Sequence, residues 1–228
     1  CLSNGWGGLE MYPVRTGTEQ LKRGYEVVGL CLENSPLAEE FNNNGITVFT
    51  VKNKLDLFKK IIHLNRWLIE KDVSIIHCHK SGDIMVSALL NILQNRKAFF
   101  TEHMGVKKPK KDIYHRLIYK HIHKILSISD ETYSRNIESL PVPVKKIQRL
   151  WLGTNISHNP IDSISIIVQI KKELNVPLGA TVIGNLGRLC SGKGQLELVE
   201  AFSLLHKKSP STHLLLVGGL HENEGADV

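Results

Sequence analysis

The sequence predicts an α/β fold: a parallel sheet covered by helices on both faces, followed by the start of a second α/β unit. Three observations predict it. Short apolar stretches alternate with amphipathic ones along the whole chain, the pattern of strands joined by crossover helices. The alternation breaks once, around Gly153-Thr154-Asn155, Asn159-Pro160 and Pro177, and then resumes. Glycine-rich or polar runs follow several apolar stretches, at the strand ends where open parallel sheets hold their ligands.

In order, Cys1-Leu2-Ser3 reads as the tail of a strand whose start precedes the chain. Strands are expected at Glu26–Leu32, Ile46–Val51, Val73–His77, Lys97–Thr101, Lys124–Ile128 and Lys146–Leu152. Helices are expected between them at about 9–23, 35–44, 55–71, 82–94, 112–123 and 130–139. Leu117, Ile118, Ile122 and Ile125 form one helical stripe, and Asp112 is placed to cap its start. A helix at about 164–175 precedes a fresh βαβ unit: strand Thr181–Leu186, helix Gln195–Lys208, strand His213–Val217. The domains are thus 1–155, a linker and leading helix at 156–178, and 179–228.

The 228 residues are 42 % apolar, enough for a sizeable core, yet no run approaches the roughly 18 apolar residues of a membrane span. No secretory signal pattern is present. Cys1, Cys31, Cys78 and Cys190 lie far apart with no CxxC pair. A reducing cytoplasm therefore fits better than a disulfide scaffold or a zinc site. The first residue is not Met, and the last stretch is polar just after a strand, so the chain is expected to be a piece of a longer protein.

Charge is uneven. Residues 1–155 hold 23 Lys+Arg and 15 Asp+Glu, net +8, while 156–228 hold 6 and 7, net −1. The window 94–124 alone has nine bases and two acids. Its run Val106-Lys-Lys-Pro-Lys-Lys111 adjoins a helix bearing Arg116, Lys120 and Lys124, which suits anionic lipid or a solvated loop. Nucleic acid fits poorly, because no aromatic-basic interleaving or reading motif accompanies the bases.

The sharpest chemical feature is Gly184-Asn-Leu-Gly187-Arg188-Leu-Cys-Ser-Gly192-Lys193-Gly194, between a strand and a helix. Backbone N–H groups and the helix dipole there favour phosphate, and Arg188 and Lys193 add two cations suited to a diphosphate. Gly187 to Lys193 also matches GxxxxGK, but Gly194 stands where a P-loop needs Ser or Thr for Mg²⁺. A second glycine turn, Asn4-Gly5-Trp6-Gly7-Gly8-Leu9-Glu10, precedes the first helix. Other strand ends carry His77-Cys-His79-Lys80-Ser81-Gly82-Asp83, Thr101-Glu102-His103 and Ser127-Ile-Ser129-Asp130. In a parallel sheet these share one rim. His77-x-His79 lacks a third metal ligand, so a hydrogen-bonded histidine pair is the better reading. His103 is the more interesting histidine, because a glycine and cations follow it.

Several segments in this order resemble glycosyltransferase family 4, the retaining group 1 glycosyltransferases of the GT-B fold. They are GGLE (7–10), LKRGYEVV (21–28), HCHKSGD (77–83), TEHMG (101–105), ILSISDET (125–132), WLGTN (151–155), IGNLGRLCSGKGQLELVEAF (183–202) and LLLVGG (214–219). The resemblance implies two Rossmann-like domains, here the first with its opening strand truncated and the first βαβ part of the second. It implies that the first domain binds a glycan or lipid-linked acceptor and the second a nucleotide-sugar donor of UDP or GDP type. Arg188 and Lys193 match the pair on the donor diphosphate, beside Gly187 and Gly194. His103 matches a histidine near the transferred sugar, and Gly7 and Gly8 a turn approaching the donor or acceptor. Glu10, His79 and Ser129 are expected along the same cleft. No cofactor or metal is implied, and no Asp-x-Asp motif appears. The family's glutamate pair, eight positions apart, is not found. Glu222 and Glu224 are only two apart, so the piece is expected to be inactive by itself. The family's commonest setting implies bacterial surface polysaccharide or lipopolysaccharide synthesis, in the cytoplasm or peripherally at the inner face of the membrane. Two other readings are a GT-B nucleotide-sugar epimerase and a non-catalytic basic module on an anionic surface.

Overall fold

The computed structural model describes residues 1–106, 108–154, 156, 164–190 and 192–219. Lys107 of the basic run, the Asn159-Pro160 break, Glu222 and Glu224 lie outside the described residues. The chain divides into two compact units, Cys1–Thr154 and Asn155–Val228.

In the first unit α1 (Gly8–Lys22), β1 (Val28–Leu32), α2 (Pro36–Asn43), β2 (Thr47–Val51) and α3 (Lys54–Glu70) come first. They are followed by β3 (Ile75–Cys78), a 3₁₀ turn (Ser81–Asp83), α4 (Ile84–Leu93), β4 (Lys97–Glu102), α5 (Ile113–Tyr119), β5 (Ile122–Ser127), α6 (Asp130–Ser139) and β6 (Ile147–Arg149). All pairings are parallel, in two sheets rather than one: β1-β2 and β3-β4-β5-β6. Cys1–Ser3 is not a strand; its few contacts make no ladder. Still, the Cys1 amino group donates to the Leu30 carbonyl (2.9 Å) and the Leu2 N–H to the Asp83 carboxylate (3.2 Å). Leu2 packs with Val51, Leu57, Leu64 and Val86, and Leu30 of β1 and Ile76 of β3 join that cluster. This apolar cluster thus bridges the two sheets.

Local chemistry sets the helix starts. Ser35, Asn53, Asp112 and Ser129 each accept an N–H of their helix's first turn, and Pro36 opens α2. Ser129 and Thr132 form a reciprocal capping box.

The expected helical stripe is corrected here. Helix α5 ends at Tyr119, and Ile122 and Ile125 belong to β5. Both are fully buried. Ala98 pairs with Ile122 while the next residue, Phe99, pairs with Lys124, so the ladder carries a bulge at His123. The extra residue lets two isoleucines three apart face the same core, which mimics helical spacing. Strand β6 is also shorter than expected. Leu150 N–H makes the last bond to the Ser127 carbonyl (2.9 Å), beyond which β5 offers no partner. Trp151 is exposed, and the Arg149 guanidinium lies over its ring at 4.3 Å.

The second unit has α7 (Ile164–Glu173), β7 (Thr181–Leu186), α8 (Gln195–Lys208) and β8 (Thr212–Val217), with β7 and β8 parallel from Thr181↔Thr212 to Leu186↔Val217. Among the described residues no helix is long and apolar enough to cross a membrane. The ladder continues past the strands, with Gly187 N–H on Val217 O (2.9 Å) and Leu189 N–H on Gly219 O (3.1 Å). This closeness requires Gly218, where a Cβ would lie 1.7 Å from the Gly187 carbonyl oxygen. Gly218→Ala is expected to cost about 1–3 kcal/mol in urea unfolding, as overpacking does, with faster amide exchange at Gly187 and Leu189. Gly184→Ala, whose Cβ meets nothing within 4 Å, is the control and should be neutral or stabilising. Equal stability of the two variants would show that the backbone contact carries no strain.

Candidate functional site

In the first unit the rim is built by the register of β3 on β4, which pairs His77 with Phe99 and Cys78 with Phe100. Alternate residues of a strand share a face. Continuing that alternation brings His77 to Thr101, with Nε2 2.8 Å from Oγ1, and His79 to His103, with Nδ1 3.4 Å from Nε2. The His77 and His79 rings pack at 4.1 Å between centroids. Tyr12 sets an edge against His79 (5.7 Å) and His103 (5.4 Å). Burial pushes His77 down to about 4, and burial first, then neighbouring positive groups, pushes His79 well below the ordinary imidazole value. Burial also lowers His103, opposed by the Glu10 charge. All three imidazoles are therefore neutral near pH 7.

The glycine turn adjoins this cluster. Helix α1 starts after Gly7, which supplies no capping side chain, and Glu10 of its first turn is buried at 9 % exposure. The Glu10 carboxylate accepts the Ser3 hydroxyl (2.8 Å), and Ser3 Oγ also receives the Gly5 N–H (3.3 Å) and lies 3.5 Å from Lys80 Nζ. After His103 the chain turns at Gly105, whose φ of +70° suits glycine. Of the residues expected at this cleft, Glu10, His79 and His103 come together behind the Gly7-Gly8 turn. Ser129 lies at the end of β5, with its hydroxyl engaged on Thr132 (3.1 and 3.2 Å) as a helix cap. Tyr12, Ser3 and Lys80 were not singled out from the sequence. Tyr12 sits one turn beyond Gly8 in α1, and that proximity was the available signal.

In the second unit the loop from β7 to α8 reaches the helix through Gly192 (φ +80°) and Gly194 (φ +77°). Gly194 is the N-cap and gives no side-chain bond, so the first N–H groups of α8 remain open to an anion. Arg188 and Lys193 are both exposed beside it. Gln195 was missed. Buried at 2 % exposure, it donates from Nε2 to the Arg188 carbonyl (2.9 Å) and ties the loop to the helix.

On the outer surface of the first unit, α5 shows Ile113, Tyr114 and Leu117 to solvent, at 78, 52 and 55 % exposure, beside Arg116 and Lys120. Lys111 and Arg116 also line a groove floored by Leu140, Pro141 and Val142. Among the described residues no group of three or more His, Cys, Asp or Glu is placed to hold a metal.

Solved structures share this fold. A glycosyltransferase from Rickettsia africae superposes with TM-score 0.80 at 21 % identity, covering 96 % of this chain and 59 % of its own. HepE of Anabaena in complex with UDP gives 0.73 at 18 %, covering 97 % and 60 %. The lipopolysaccharide outer core galactosyltransferase WaaB gives 0.60 at 14 %, covering 96 % and 59 %. The chain thus spans about 60 % of the length of these structures, and its fold is that of the GT-B glycosyltransferases. No curated protein matches it. The family model for Glycosyltransferase Family 4 matches residues 6–158, two-thirds of the sequence, and the chain belongs to that family.

Proposed function

We propose that the protein transfers a sugar, with retention, from a UDP- or GDP-sugar to a glycan or lipid-linked acceptor. The observation that carries this reading is the start of α8. It is a helix N-terminus without a capping side chain, reached through two left-handed glycines and flanked by the exposed cations Arg188 and Lys193. Membership of the family supports it, as does the UDP complex of HepE, whose fold is shared.

The chemistry follows from charge. Breaking the sugar–phosphate bond leaves negative charge on the diphosphate and builds positive charge on the sugar. Arg188, Lys193 and the open N–H groups of α8 stabilise the first. The leaving phosphate takes the acceptor proton on the same face, so no side chain need act as base. In this reading the first unit binds the acceptor and places His103 beside the transferred sugar, while the second holds the nucleotide. Neither cofactor nor metal takes part. The activity belongs to the whole protein, and the piece by itself is expected to be inactive.

We also propose that the first unit rests on an anionic membrane at its cytoplasmic face, in the service of surface polysaccharide or lipopolysaccharide synthesis. The exposed apolar face of α5 beside the bases of window 94–124 supports this, since such helices lie in the interface with their cations on lipid headgroups.

Two measurements test these readings. In the full-length protein, Arg188→Ala or Lys193→Ala should lower turnover by roughly 10²–10³-fold, as the loss of a preorganised charge donor does. His103→Ala should lower it at least about tenfold, or about 1.4 kcal/mol, with nucleoside-diphosphate affinity nearly unchanged. Normal turnover in all three removes this site from the reaction, and lost nucleotide affinity in His103→Ala refutes the division of labour between the units. For the membrane, the chain should bind anionic vesicles and release them as salt shortens screening to about 8–10 Å, and Leu117→Glu should weaken binding. Equal binding to neutral vesicles counts against it.

A further inference from the structure

His79 does not face solvent. It is 6 % exposed, one residue past the end of β3, and its ring is held by three others: His77 at 4.1 Å, Tyr12 at 5.7 Å and His103 at 5.7 Å between centroids. His77 is fixed in turn by Thr101, and that layer leaves the His79 ring little room to rotate. Its Nδ1 lies 3.4 Å from Nε2 of His103. Two neutral imidazoles in such a bond must take opposite roles, one nitrogen donating and the other accepting. The tautomer of one therefore dictates that of the other. The His103 nitrogen outside this bond, Nδ1, is then either a donor or an acceptor, and not both.

We propose that His79 is a positioning residue that holds the His103 ring in one orientation and ties its tautomer to that of His79, whose own ring is set by the packed layer, and thereby sets which kind of hydrogen bond His103 offers to a bound sugar. This rests on the reading that His103 stands beside the transferred sugar. His79 itself touches no substrate. It acts as the outer partners of metal-bound histidines do, by fixing what the other nitrogen presents, with a sugar hydroxyl in place of a metal.

The test reads the tautomer directly and needs no turnover. Long-range ¹H–¹⁵N spectra of the chain, with His103 assigned through His103→Ala, should show His103 in a single tautomer. His79→Leu keeps bulk but removes the partner nitrogen, and His103 should then show averaged ring-nitrogen shifts. His79→Asn places an amide where Nδ1 was, and whichever of its oxygen or nitrogen the packed neighbours hold toward His103 Nε2 should again select a single tautomer. If His79→Leu does not fold, His79→Gln replaces it, since its amide lies one atom further out and should also leave the tautomer averaged. In the full-length protein, turnover should fall about tenfold in His79→Leu, about 1.4 kcal/mol, and recover in His79→Asn at unchanged nucleotide affinity. A single unchanged His103 tautomer in the Leu or Gln variant overturns the proposal, as does failure of Asn to restore it. Normal turnover in His103→Ala, with the tautomer still responding to His79, overturns instead the placement of His103 beside the sugar.

Discussion

The pairing register of β3 and β4 is the constraint on which the first unit's site depends. Parallel pairing sends both strands out of the sheet at the same edge, and the His77↔Phe99 register fixes which side chains meet there. A slip by one residue would put His79 and His103 on opposite faces of the sheet. The register is held from below by apolar packing. Ala98 and Phe100 of β4 and Ile125 of β5 are fully buried in one cluster with Cys78 of β3, and a slip would expose that set to water. The polar rim is thus specified by apolar residues that never touch a ligand.

Much of this was legible in advance. His77-x-His79 and Thr101-x-His103 carry the period of two that places alternate residues on one strand face, and the strand ends identify the rim. The alternation of strands and helices was also legible, because short apolar stretches and amphipathic ones take turns along the chain. What could not be read was any feature that depends on a partner strand. Ile122 and Ile125 carry helical spacing, and only pairing with β4 shows that a bulge at His123 produces it. Trp151 looks like a strand residue by composition, but β5 has ended and no ladder remains for it. Tyr12 and Gln195 were missed for a related reason. An aromatic or an amide on a helix is usually a packing or surface residue, and its aim at a particular ring or carbonyl is a tertiary fact.

The two rims differ in chemistry. In the first unit the imidazoles are neutral and buried against a tyrosine edge, and a buried carboxylate and the Lys80 amine both meet Ser3. In the second the groups are exposed cations and unpaired helix N–H groups. Each state follows from its sequence. His77 and His79 lie among buried strands, where desolvation removes their protons. Arg188 and Lys193 stand exposed on a glycine-rich loop.

Under the proposed function, that difference would suit a reaction that separates charge across one bond. A cation beside the sugar would oppose the positive charge that develops there, so the groups on that side must bond hydroxyls without carrying charge. Imidazoles lowered by burial meet this requirement. On the same proposal the diphosphate has the opposite need, and a helix start with two flanking cations would meet it without reorganising at the moment of reaction. On the proposal that His103 stands beside the sugar, the burial of the histidine layer serves function as well as structure, because it lowers His103 against the opposing charge of Glu10.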